Sequence, residues 1–203
     1  MTLQTLNSIS TRAPGEAILT GRELYALGNI GPTELRKGRL IKMNPTGYLH
    51  GIIELKIGAC LSDFVQQHNL GHVLTGEVGL YTARNPDSVR AADVAYISHA
   101  RMARVQSPSY LDVAPELIVE IMSPEDRWSA VMEKLDEYFA AGVQAVWIAE
   151  PKSRSVYVYR ALDDVQHFTE EATLPGGDVL PGFEAAVSEF FPQIDLPASA
   201  ADA

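Results

Sequence analysis

The run Pro115–Met122, PELIVEIM, is dominated by valine, isoleucine and leucine and carries Glu120 inside it. Such a run fits a central strand covered on both faces, since a solvated face would bring in alternating polar residues. A carboxylate in that setting is costly unless a cation or a hydrogen-bond donor compensates it. RAADVAYI raises the same problem with Asp93. The chain therefore needs a sheet covered by other layers, and partners for two acids held within it.

The remaining elements follow from periodicity. Thr20 opens a short helical pattern, TGRELYALG, that Gly28 closes. After the Gly31-Pro32 turn, Glu34 to Met43 reads as a strand or hairpin, broken by Pro45, Thr46 and Gly47. From about Tyr48 to Asn69, apolar residues at Ile53, Ile57, Leu61, Phe64 and Val65 mark one helical face. GHVLTGEVGLYT alternates as strands do, and Asn85-Pro86-Asp87 marks a turn. Ser123-Pro124-Glu125-Asp126 reads as a helix start, with Ser123 as N-cap, Pro124 at the first position and two acids at the positive end of the dipole. That helix carries Trp128, Val131, Leu135, Tyr138 and Phe139 on one face and stops at Gly142; AVWIAE and SVYVYR follow as paired strands, and GFEAAVSEFF reads as a last short helix. The order predicts a mixed α/β sheet flanked by helices. It divides into an N-terminal arm at 1–18, one domain at 19–194 and a C-terminal tail at 195–203.

At 203 residues, the chain has room for one good-sized core, and its 46% apolar and 21% charged content is that of a soluble globular protein. No stretch is long enough to span a bilayer, and the first residues lack a basic start followed by an apolar run. Cys60 is the only cysteine, which excludes an intrachain disulfide and a multi-cysteine zinc cage. These features point to the cytoplasm. The net charge of −10 counts against a dedicated nucleic-acid binder, yet it leaves a nuclease open, because acids gathered at a metal site contribute to it. Arg36, Lys37, Arg39 and Lys42 fall close together, as do Arg101 and Arg104, and solvated surface is the simpler reading of both groups.

Alternation puts Glu116, Ile118, Glu120 and Met122 on one strand face, with Glu120 between two apolar neighbours. Adjacent strands lie about 4.8 Å apart, so Asp93 and Glu120 can converge on one hard cation such as magnesium or manganese. The other account has each acid salt-bridged to an arginine or capping a loop. Lys134 lies roughly 90° off the centre of its helix's apolar face. From there it can lean over a neighbouring strand and stabilise charge on a phosphate, or pair in solvent with Asp136 or Glu137. His50 falls on the apolar face of the long helix with Glu54 one turn on, as a ligand-facing group or a satisfied core histidine. HGIIE lacks the second histidine of a zincin, and there is no P-loop, dinucleotide fingerprint or nucleophile elbow.

ELRKGRLIKMNPTGYLHGII, DVAYIS, PELIVEIMSPEDR, EKLDEYFAAGVQAVWIAEP and LPGFEAAVSEFF, taken in order over roughly residues 20–192, resemble the Uma-type putative restriction endonuclease family of the PD-(D/E)XK nuclease superfamily. The resemblance implies an α+β, restriction-endonuclease-like fold with a mixed sheet between helices. It implies a site for Mg2+ or Mn2+ with Asp93 as first acid, Glu120 as second and the carbonyl of Ile121 as a further ligand. The usual lysine two residues after the second acid is Met122 here, and Lys134 from the next helix stands in its place. The proline common before the first acid is Ala92, and Glu34 and His50 match recurring family positions. The implied function is endonucleolytic hydrolysis of nucleic acid, DNA above all, without a membrane partner. The alternative is a catalytically inactive module of the same fold that mediates assembly, with SVYVYR and its neighbours as the edge of a homodimer.

Overall fold

The computed structural model describes residues 18–193. The bulk of the expected arm and the whole of the expected tail lie outside the described residues. A capping box opens helix α1 (Gly21–Ala26): the Thr20 side chain accepts from Glu23 N–H, and the Glu23 carboxylate accepts from Thr20 N–H. Strands β1 (Thr33–Arg36) and β2 (Arg39–Lys42) form a hairpin. Its two-residue turn places Lys37 at φ 48° and Gly38 at φ 75°, the left-handed pair that matches the twist of the flanking strands. The long helix α2 (Tyr48–Gln67) follows, then β3 (Gly71–Ala83), β4 (Ser88–Ser98) and the single turn α3 (His99–Met102).

Strand β5 (Leu117–Ile121) is the predicted central strand, and it runs parallel to β6 (Ala145–Glu150) with helix α4 (Trp128–Ala141) as the crossover. Strands β7 (Ser155–Ala161) and β8 (Asp164–Phe168) add antiparallel to it, giving the order β2-β1-β4-β5-β6-β7-β8 with β3 paired along β4. A small second sheet joins β9 (Thr173–Pro175) to β10 (Glu184–Ala186). One face of the main sheet packs Ile53, Ile57, Leu61 and Val65 of α2 against Val94, Val119 and Trp147. The other packs Val131, Leu135 and Tyr138 of α4 against Ile118, Val146 and Ile148. The two faces of β5 are thus covered by different helices, which is what its unbroken apolar run demands. No helix among the described residues is long and apolar enough to cross a membrane.

Three sequence expectations fail locally. Helix α4 starts at Trp128 with Arg127 as its N-cap residue, not at Ser123. Instead of Ser123 capping forward, Asp126 folds back to accept Ser123 N–H at 2.7 Å, and Asp126 N–H reaches Ser123 O, closing a tight loop. GFEAAVSEFF is not a helix. Phe183, Ala185 and Val187 are buried at a period of two, Glu184–Ala186 pairs with β9, and only a 3-10 turn (Val187–Glu189) follows. Trp128, expected on the apolar face of α4, is 38% exposed at the helix start. Of SVYVYR and its neighbours, β7 is hydrogen-bonded on both sides and β8 carries the sheet edge.

Candidate active site

The β4–β5 ladder runs from Tyr96↔Leu117 to Val94↔Val119, so Asp93 stands opposite Glu120 one step beyond it. There the strands part, and Ile121 gives its N–H to Asp93 Oδ2 at 2.7 Å. In a strand the carbonyl of a residue points to the same edge as its N–H, so the Ile121 carbonyl faces the same gap. On the other side of β4, Gly76 and Glu77 of β3 stand opposite the single residue Asp93, a bulge with both residues at positive φ. The Glu54 carboxylate holds Gly76 N–H at 2.8 Å and fixes that bulge.

Both helical layers reach into the gap. From α2, His50 is buried, and its Nε2 lies 3.2 Å from Asp93 Oδ2. Its Nδ1 is buried without a hydrogen-bond partner among the described residues. From α4, Lys134 Nζ donates to Glu120 Oε2 at 2.7 Å and lies 3.5 Å from Glu34 Oε1. The Tyr138 hydroxyl, one turn on, donates to Glu120 Oε1 at 2.5 Å. Lys134 therefore pairs with Glu120 and Glu34, whereas Glu137, its helix neighbour, takes two hydrogen bonds from Arg90.

Glu34 on β1 is buried and sits between two cations, since Arg90 Nη1 donates to its Oε2 at 2.7 Å. Arg90 is itself buried and forks between Glu34 and Glu137, using the planar geometry that distinguishes arginine from lysine. A chain of alternating charge thus runs Glu120–Lys134–Glu34–Arg90–Glu137. Arg90, Glu137, Tyr138 and Glu77 escape the sequence reading as site residues: there Tyr138 is only helix core and Glu137 only a solvent partner for Lys134. Arg90 had a signal, a charged residue inside the same buried strand as Asp93; Glu77, placed by a bulge, had none.

Burial pushes the Glu120 carboxyl up to about 7; the nearby Lys134 charge opposes that rise, and Asp93 adds to it. Burial would lower the Lys134 ammonium, but Glu120 and Glu34 outweigh it and hold the group above its ordinary value, so it stays charged. Burial likewise works against a charged His50, yet its hydrogen bond to Asp93 and the nearby acids raise it overall. Burial also raises Glu77, with Asp93 and Glu54 adding to it. The groups open onto a cleft of about 510 Å³, bounded by the β1–β2 hairpin on one side and the Ser123–Asp126 loop on the other. Met122, where a lysine is usual, is buried and packs with Leu135 and Ile148 in the core, and Ala92 is buried too.

A family model described as Uma2, putative restriction endonuclease, matches residues 22–188. The chain belongs to the Uma2 family. Its fold is similar to the crystal structure of a putative nuclease belonging to DUF820 from Anabaena variabilis ATCC 29413, with a TM-score of 0.71 and 18% identity over 85% of this chain and 97% of that one. At that identity the likeness is one of fold. Comparison with curated proteins gives no match. The Uma2 match spans β1 through β10, so Glu34, His50, Asp93, Glu120, Ile121 and Lys134 all lie within it.

Proposed function

We propose that this Uma2 protein is a divalent-cation-dependent endonuclease that hydrolyses DNA in the cytoplasm, with Mg2+ or Mn2+ held by Asp93, Glu120 and the Ile121 carbonyl. The observation that carries the reading is the meeting of Asp93, Glu120 and Lys134 where β4 and β5 part, at the floor of an open cleft. The donor set fits a hard cation. No hydrogen bond among the described residues uses Asp93 Oδ1, and Glu120 Oε2 already faces a positive charge. Magnesium and manganese take oxygen ligands and keep several waters, so two carboxylates and a carbonyl suffice. Among the described residues no group of three or more His, Cys, Asp or Glu is arranged to hold a metal ion, so Asp93 and Glu120 would need the Ile121 carbonyl and water to complete the shell.

A bound cation would supply Lewis-acid activation of the scissile phosphodiester. The protein's own groups prepare for it. His50 and the Ile121 N–H fix the orientation of Asp93, and Tyr138 fixes that of Glu120. Lys134 presents a permanent ammonium beside Glu120, placed to neutralise charge developing on the phosphate oxygens. Glu34, anchored by Arg90, holds that ammonium on its far side. Expected outcome: duplex DNA is cut in the presence of manganese, and Asp93→Asn and Glu120→Gln each lose the cutting while keeping the melting temperature of a folded protein. Cutting at the parental rate by both variants would refute the assignment. The second reading, an inactive module of the same fold, draws on Glu120, whose two oxygens are both occupied by protein donors. It predicts no heat of manganese binding at millimolar concentration.

A further inference from the structure

The β1–β2 hairpin forms one wall of the cleft, and it is unlike the rest of the surface. In a chain of net charge −10, residues 34–43 carry Arg36, Lys37, Arg39 and Lys42 against a single acid, Glu34. That acid is buried and already shared by Arg90 and Lys134. The hairpin's outward charge is therefore wholly positive.

The register decides where it points. Arg36 pairs with Arg39 and Glu34 with Ile41, so Arg36, Arg39 and Ile41 share the face on which Glu34 meets Lys134. Ile41 and Met43 line the cleft directly and are 37% and 40% exposed, and every residue from Ile41 to Tyr48 is exposed. Lys37 sits at the tip of the turn and is exposed. Arg39 makes no ion pair among the described residues, while Arg36 spans the cleft mouth to Glu133 on α4 at 2.5 Å. The opposite rim carries Glu125 and Asp126.

Charged residues on an edge strand also block pairing with another sheet, and β2 is an edge. Lysine serves that role well, so edge protection can account for the cations. It does not account for an uncharged, exposed apolar pair, Ile41 and Met43, lining the cleft between them and the acids of the site. A polyanion lying along the cleft accounts for both, since its backbone would meet Arg39 and Lys37 while its groove edges meet Ile41 and Met43.

We infer that the β1–β2 hairpin is the clamp that seats duplex DNA on the cleft, with Lys37 and Arg39 contacting the phosphate backbone. This rests on the nuclease reading for the choice of DNA. The test is binding of a fluorescein-labelled duplex by anisotropy, with Ca2+ in place of the cutting cation, across a salt series. The hairpin variant is Lys37→Asn with Arg39→Gln; asparagine tolerates the left-handed turn position. The control removes equal charge from exposed positions at the opposite end of the sheet, Arg104→Gln with Arg160→Gln. Two lost phosphate contacts lower the salt slope by about 1.8, which is on the order of 60-fold in affinity between 1 M and 0.1 M salt. The hairpin variant shows that loss and the control does not, at matching melting temperatures. Equal losses in both variants, or none in the hairpin variant, overturn the inference even if the parent protein cuts DNA. Tighter binding of an RNA duplex of the same length overturns the choice of DNA. A hairpin-specific loss of binding in a protein that never cuts DNA upholds the clamp and refutes the nuclease reading.

Discussion

If Glu120 ligates the proposed cation, its elevated carboxyl makes that binding pH-dependent in a range where an ordinary glutamate is silent. Glu120 is pushed to about 7 by burial, with Asp93 adding to it and Lys134 only partly offsetting. A proton on that carboxyl must leave before it can ligate a cation, so apparent affinity scales with the ionised fraction. That fraction is about 0.09 at pH 6 and about 0.91 at pH 8 for a group titrating near 7, an increase of about tenfold, or about 1.4 kcal/mol. An unperturbed glutamate would change affinity by only about 3% over that range. The sign for stability runs the other way. A raised folded-state value favours the fold below the ordinary glutamate range, and this contribution is lost as pH rises through about 7. The metal-free protein should therefore lose stability from this group between pH 6 and 8, and manganese should restore most of it at the upper end. Isothermal titration in two buffers of different ionisation enthalpy reads both affinity and protons released, with close to one proton per cation expected at pH 6. His50 is also held above its ordinary value by Asp93 and the nearby acids, so it needs its own control. His50→Asn should keep the tenfold rise and Glu120→Gln should flatten it. A flat profile in the parent protein, or an unchanged rise in Glu120→Gln, would refute the reasoning.

Two further substitutions probe the charge chain. Arg90→Met leaves the buried Glu34 and the half-buried Glu137 without their shared cation; urea unfolding should show a loss of about 3–5 kcal/mol, the range for breaking one side of a buried pair. Tyr138→Phe removes one donor to Glu120, so the pH midpoint of manganese binding should move upward with little change in the affinity plateau at high pH; an unmoved midpoint would mean that the hydroxyl does not stabilise the ionised carboxylate.

Much of this architecture is legible in the sequence because it follows from local rules. PELIVEIM reads as a buried strand since nothing but burial on both faces tolerates that run, and β5 is that strand. The Thr20 cap and the apolar spacing of α2 act within one or two turns, and both helices form where the pattern places them. What escapes is either a close contest between local bonds or an outcome set by distant partners. Whether Asp126 folds back onto Ser123 or leaves Ser123 to cap forward is a competition between two local bonds of similar strength, and composition favours the wrong one. Phe183, Ala185 and Val187 fit a strand or a helix until the partner strand β9 is known. At the site, Asp93, Glu120 and Lys134 stand out as charges in apolar surroundings. Arg90 and Glu137 become meaningful only through Glu34, which is 56 residues from Arg90 along the chain.

The position of the lysine explains why the chain of charges is there at all. Two residues after Glu120 the strand has ended, and Met122 is buried with Leu135 and Ile148 on the apolar side of the same cleft. An ammonium there would be buried among apolar side chains and strongly disfavoured. Supplying it from α4 puts the charged end over Glu120 while the stem lies beside Leu135 and Val131, whose packing holds the helix. A strand-borne lysine would be located by the sheet's own hydrogen bonds. A helix-borne one is located only as well as the helix is docked, and α4 has no side-chain cap at its start. Glu34 and Arg90 make up that difference: they tie Lys134 and Glu137, three residues apart on α4, to β1 and β4. The alternating charges therefore fix the distance between the lysine and the acids, and any variant that uncouples them should displace Lys134 before it unfolds the protein.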